Sequence, residues 1–237
     1  MENILLYNEG VSHKYRLPRN SDYFENIDSK DKAYWLGIMY SDGCVCERKN
    51  EKYSISLEMI DEEHVEKFRD ALDAVAHKIS VINHKNFANA KLSYAIHIWD
   101  NKMAKDLIGL GCVPRKSFIL SRIPNIPQEF VYDFIRGFVD GDGCLCYNKS
   151  NNTYAFKLTG ASPLFLQEIM QALSIDKLSL NKCTETSYQV TSGKREDIYR
   201  ILTKLYEHST DATRLNRKYQ KYQEFIQWYN QKTTKGE

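Results

Sequence analysis

The chain has 237 residues, 42% of them hydrophobic and 12% aromatic, enough to bury one large core or two cores of about 100 residues each. No apolar run approaches the roughly 18 residues of a membrane span, and the N-terminus lacks the charged, apolar and small-residue order of a secretory signal, so a cytosolic or organellar setting is expected. Lys and Arg number 33 against 31 Asp and Glu, a net charge of +2, which excludes the strongly basic balance that marks a nucleic-acid binder by itself. Distribution says more: basic residues crowd 48–52 and 214–221, while acids gather at 61–66.

In chain order, residues 1–31 show no periodic element; Lys14, Arg16 and Arg19 make them either a basic arm or a solvated lead-in. Residues 32–40 are apolar nearly all round and predict a buried helix, with Gly43 as its natural stop. A strand begins at Val45, the charged turn 48–52 reverses it, and 53–60 alternates as a half-buried strand. Asp61 opens a helix whose apolar face is Val65, Phe68, Leu72 and Val75. A second hairpin is read at 79–85 and 92–99, then a helix over 103–110 ending at Gly111. Pro124 and Pro127 mark a linker at 122–128, which divides a first half, 32–121, from a second, 129–237. The second half repeats the order with a helix at 130–139, strands at 144–147 and 154–159, a helix at 163–173, strands at 178–183 and 187–191, and a helix at 195–206. A basic, aromatic helix over 214–229 closes the chain.

The repeat is explicit in the residues. Residues 35–46 read WLGIMYSDGCVC and 135–146 read IRGFVDGDGCLC, so Gly37, Asp42, Gly43 and a C-x-C pair recur at an offset of 100 residues. Each half also ends in a similar basic step, VPRKS at 113–117 and LNRKY at 215–219. Interior glycine costs a helix about 1 kcal/mol unless the missing side chain has a use. Close helix packing through Gly37, Ser41, Gly137 and Gly141 is such a use, and it sets Asp42 and Asp142 side by side at two negative helix ends. A divalent cation relieves that charge, and carboxylates with backbone carbonyls of Ser41 and Gly141 form the hard oxygen set that suits Mg²⁺. Such a centre hydrolyses phosphodiesters. Asp140 faces Tyr40 at the equivalent position of the first half and is therefore a capping or packing residue. The C-x-C pairs lack the two-to-four-residue spacing usual in zinc sites and are read as free thiols on strands.

The nonapeptides WLGIMYSDG and IRGFVDGDG resemble the LAGLIDADG motif of homing endonucleases, in which the eighth position is the metal-binding acid. The resemblance covers nearly the whole chain, with Tyr40 and Ser41 as its departures. It implies an α+β fold of two pseudo-symmetric αββαββα halves, their antiparallel sheets forming a saddle over DNA and the two motif helices forming the interface. It also implies basic catalytic residues at Lys116 and Lys218, with Arg115 and Arg217 beside them, and polar residues at Asp61 and Ser162.

Strand alternation then selects a DNA-facing set. In the first half it is Arg48, Asn50, Lys52, Ser54, Ser56, Glu58, His84, Lys85, Lys91 and His97, and in the second Asn148, Ser150, Lys157, Thr159, Lys182, Gln189 and Thr191. A two-stranded ribbon fits the major groove, and lysines at the turns suit phosphates. Two unlike faces imply a monomer on a long, asymmetric double-stranded site. The expected activity is site-specific, Mg²⁺-dependent double-strand cleavage, with Mn²⁺ substituting and Ca²⁺ supporting binding alone, in a cytoplasmic, nucleoid-associated or organellar setting. An intron-splicing maturase that binds RNA, or a non-cleaving DNA-binding regulator, remains the alternative. Residues 1–2 and 236–237 do not resemble protein-splicing junctions, so an intein is not expected.

Overall fold

The computed structural model describes residues 17–48, 52–84, 91–116, 119–174 and 179–234. The first half runs α1 (Lys30–Ser41), β1 (Gly43–Arg48), β2 (Lys52–Met59), α2 (Glu62–Ala71), β3 (Ser80–Ile82), β4 (Ser93–Ile98) and α3 (Asn101–Gly109). The second runs α4 (Val131–Asp142), β5 (Gly143–Asn148), β6 (Thr153–Gly160), α5 (Pro163–Leu173), β7 (Ser179–Lys182), β8 (Tyr188–Ser192), α6 (Arg195–Tyr206) and α7 (Asn216–Thr234). The strands form two antiparallel four-stranded sheets of identical order, β1-β2-β4-β3 and β5-β6-β8-β7. The αββαββα halves expected from the repeat are present, with α7 added to the second.

Helix α1 starts where the Ser29 side chain accepts from the Lys32 amide, and it buries every residue from Ala33 to Tyr40. Its partner is α4. A methyl group added at Gly37 would lie 2.9 Å from the Phe138 amide nitrogen and overlap the Phe134 carbonyl; one at Gly137 would lie 2.9 Å from the Ile38 amide nitrogen and overlap the Tyr34 carbonyl. The two backbones thus touch at matching points. The flanks of this seam differ. Tyr34 donates to the buried carboxylate of Asp140 at 2.7 Å, whereas the counterparts Phe134 and Tyr40 meet edge to face with ring centroids 4.9 Å apart.

Several sequence expectations change in the structure. Gly43 does not stop α1 through a left-handed conformation; a side chain there would lie 2.5 Å from Met39 Sδ, so the constraint is space. Val75 is not on α2, because Asp73 adopts φ 53° and ends the helix, leaving Val75 exposed. The segment read as an arm or lead-in joins the first half: Tyr23, Phe24 and Ile27 are buried, and Arg19 donates to Asp100 at 2.6 Å with its side chain 6% exposed. Arg19 is therefore not offered to a ligand, while Lys14 and Arg16 lie outside the described residues. Gly111 does take a left-handed φ of 92° just after α3. No helix among the described residues is long and apolar enough to cross a membrane.

Candidate active site

Asp42 occupies the C-cap of α1 and Asp142 is the last residue of α4, so the seam brings both acids to one end of the molecule. Each side chain reaches solvent, yet enough protein crowds it that burial raises both carboxyls above their ordinary range. The charge of Asp42 adds to this at Asp142 and holds that carboxyl up to about 7. The positive charges of Lys218 and Lys116 act in the opposite sense on both acids.

The two lysines occupy equivalent places. Lys116 is buried and donates to the Gly43 carbonyl; Lys218 donates to Gly143 O at 2.7 Å and also to Val139 O at 2.8 Å, Asp140 O at 2.5 Å and Gly141 O at 3.2 Å. Lys218 thus sits on carbonyls of the last turn of α4 and the first carbonyl of β5, against the negative end of the dipole, while Lys116 reaches the first carbonyl of β1. Burial lowers Lys218 to about 8, the nearby carboxylates of Asp140, Asp42 and Asp142 pulling the other way.

The Gly141 carbonyl, expected among the oxygens around a metal, accepts from Lys218 at 3.2 Å and keeps its second lone pair. Gly141 is small because a side chain there would collide with Ser41 Oγ and Asp42 Oδ2. The Ser41 hydroxyl bonds back to the Ile38 carbonyl at 3.1 Å. Among the described residues no group of three or more His, Cys, Asp or Glu side chains is placed to hold a metal.

Asp140 is fully buried and accepts from Tyr34, from Tyr206 at 2.5 Å and from the Leu215 amide at 2.8 Å. It ties α1, α6 and the start of α7 together and does not point at the acids' opening. Asp61 does not cap α2; it accepts from Arg217 Nε at 2.8 and 3.0 Å, an arginine from the opposite half, beside an Asn216 to Glu63 hydrogen bond of 2.6 Å. Asp61, Arg217, Asp42, Gly141 and Glu58 line one open cleft. The Ser162 hydroxyl is committed to capping α5, accepting from the Phe165 amide at 3.3 Å. Arg115 is exposed at φ 58° and borders a separate groove along β1.

Strand register settles which side chains share the open face. Cys44, Ser56 and His97 form one row, and Glu58 stands opposite Ala95; in the second sheet the rows are Cys144, Lys157, Thr191, Ser179 and then Thr159, Gln189, Asn181. Lys182 pairs with Tyr188 and so belongs to the opposite face; Asn181 holds the place expected for it. Ser54 faces the expected way but is fully buried, so it offers nothing at the surface. Glu58, His84 and Ser93 are linked, with His84 Nε2 2.7 Å from Glu58 Oε1. Gln189 donates to Thr159 at 3.1 Å, and Asn148 accepts from the Ser150 amide at 3.0 Å. Arg48, Lys52 and Lys91 are exposed; Asn50 and Lys85 lie outside the described residues. The structure adds Trp99, which is 52% exposed on the same face with Arg48 over its ring at 5.7 Å. All six cysteines are free thiols.

No family model matches the chain. Among curated proteins, 114 residues are 30% identical to the DNA-directed RNA polymerase subunit Rpo1C of Methanocaldococcus jannaschii, covering 48% of this chain and 12% of that one. An uncharacterized protein of the same organism is 24% identical over 136 residues, 54% of this chain and 46% of that one. The chain therefore spans less than half the length of the curated relatives it matches. Solved structures are more informative about shape. I-SmaMI bound to an uncleaved DNA target with calcium ions aligns at TM-score 0.56 and 14% identity, over 86% of this chain and 92% of that one. The homing endonuclease I-GzeII in complex with its DNA target aligns at 0.57 and 9% identity, over 86% and 91%. The fold is that of the LAGLIDADG homing endonucleases. WhiA from Thermatoga maritima also aligns, at 0.51 and 10% identity over 90% of this chain and 65% of that one.

Proposed function

We propose that the protein is a site-specific, divalent-metal-dependent double-strand DNA endonuclease that works as a monomer on a long asymmetric target. The observation that carries this is the pairing of Asp42 and Asp142 at abutting helix ends, each with a lysine on the carbonyl of the following glycine. A fold shared with WhiA leaves the chemistry open, so the reading rests on these four residues.

The acids fit a hard cation. Burial, with the charge of Asp42 added to it, raises Asp142 to about 7; Mg²⁺ bound by the two carboxylates would offset that cost, and Mn²⁺ has the same preference for oxygen. Bound there, the ion supplies water activation and charge stabilisation at a scissile phosphate. The remaining work belongs to the chain. Lys116 and Lys218 set positive charge where negative charge develops on the phosphate, and their hydrogen bonds fix them before DNA arrives. Exposed Arg48, Lys52, Lys91 and Asn181, with half-buried Lys157 and Gln189, offer phosphate and base-edge partners on the two sheets.

The test is incubation of the protein with Mg²⁺ and DNA spanning the intron-free insertion site of its host gene. Cleavage of both strands, lost in Asp42→Asn and Asp142→Asn while binding persists, is the expected result; Ca²⁺ should support binding alone. Tight binding without cleavage in both Mg²⁺ and Mn²⁺ would instead make the protein a regulator or an RNA-binding maturase.

A further inference from the structure

We propose that Cys44 with Cys46, and Cys144 with Cys146, form a reversible dithiol–disulfide switch on either side of the active centre. The sulfurs of the first pair are 3.4 Å apart and those of the second 3.3 Å, each across a single intervening residue. Val45 and Leu145 point into the core between them, so each pair stands on the open face of its sheet. That face otherwise differs between the halves: Ser56 and His97 flank Cys44 where Lys157 and Thr191 flank Cys144. Two thiol pairs at one register position on otherwise unlike surfaces call for a use common to both halves.

Alternate residues of an extended strand have Cα atoms about 6.6–6.8 Å apart, near the upper limit that a disulfide spans. Closing the sulfurs to a bond of about 2.05 Å therefore requires β1 and β5 to pucker at Val45 and Leu145. A strained, accessible disulfide is readily reduced, as suits a switch and not a structural staple. Its mechanical effect falls on the site. Cys44 and Cys144 directly follow Gly43 and Gly143, whose carbonyls hold Lys116 and Lys218, so shortening either strand displaces an acid together with its lysine.

The oxidant is a low-molecular-weight disulfide. One cysteine thiolate attacks it to give a mixed disulfide and release one thiol. The second cysteine then displaces a second thiol, so each pair loses two S–H bonds and gains one S–S bond. The loss of cleavage that follows rests on the endonuclease reading above; the bond itself does not.

The full chain carrying Cys183→Ser, which removes an exposed thiol elsewhere, would be treated with oxidised glutathione. Intact mass should fall by two hydrogens per pair, and fragmentation should place the links at 44–46 and 144–146. Dithiothreitol should restore both the mass and DNA cleavage lost on oxidation. Cys46→Ser with Cys146→Ser should accumulate glutathione adducts in place of the internal bond. Adducts without internal links, or no mass change, in the parent would overturn the bond; internal links with unchanged cleavage would overturn the switch. Should the reduced protein cut no DNA, the endonuclease reading falls while the mass measurement still decides the thiol chemistry.

Discussion

Asp142 carries a thermodynamic signature that can be read without DNA. Its carboxyl titrates near 4 in an unfolded chain and at about 7 in the folded one, so the folded state holds the proton more tightly. The associated stability is fully present below the unfolded pKa and is lost as pH rises from about 4 to 7, the reverse of a salt-bridged aspartate. Metal-free Asp142→Asn should therefore lose this part of the pH slope and melt above the parent at neutral pH. Calorimetry between those pH values checks it, and superimposable profiles would deny that folding raises the Asp142 carboxyl. Lys218 makes a complementary case. Lys218→Met leaves helix-end carbonyls without a donor and should cost about 1–3 kcal/mol in urea denaturation. It should also slow cleavage far more than it weakens binding; equal losses in rate and affinity, with a smaller salt slope, would make Lys218 a phosphate contact.

At the level of elements, the α1–α4 seam depends on what is missing from it. Gly137→Ala forces a methyl into the Tyr34 carbonyl and should destabilise by about 1–3 kcal/mol or more. Gly109→Ala, whose methyl would meet nothing within 4 Å, should instead stabilise α3 by about 0.5–1 kcal/mol. Denaturation of the two variants side by side separates packing from helix propensity; equal effects would mean that the seam is loose. This seam was legible in the sequence because its cause is local: a glycine inside an apolar helix, written twice. The hairpins were legible for the same reason, through alternation. Cross-strand register was not. A strand read as 178–183 puts Lys182 in step with the open face by assumption, whereas its pairing with Tyr188 turns it away and presents Asn181. Distance in sequence hides the rest: Arg217 on Asp61, Arg19 on Asp100, and both lysines on glycine carbonyls some 75 residues away are contacts that no short-range period encodes.

For the whole molecule, the matching contacts at Gly37 and Gly137 and the identical order of the two sheets relate the halves pseudo-symmetrically, and the two acids end the helices that meet there. On the proposed function, a monomer should protect a single continuous asymmetric site and, as the resemblance to homing endonucleases implies, cut its strands across one minor groove, leaving short 3′ extensions. Footprinting combined with sizing of the complex checks this, and two chains on one site, or two separate footprints, would overturn it. The same pseudo-symmetry governs how the halves recognise each other. Backbone meets backbone identically from both sides at Gly37 and Gly137, which would let either half bind a copy of itself. The flanks forbid it. Pairing two second halves would press Phe134 against the buried Asp140 carboxylate and remove the Tyr34 hydroxyl it accepts from; pairing two first halves would crowd Tyr34 against Tyr40 and take away the Asp140 acceptor of Tyr34. A gene cut at the linker should accordingly yield two polypeptides that ignore their own kind and reassemble only as a heterodimer, the seam serving as an address as well as an adhesive.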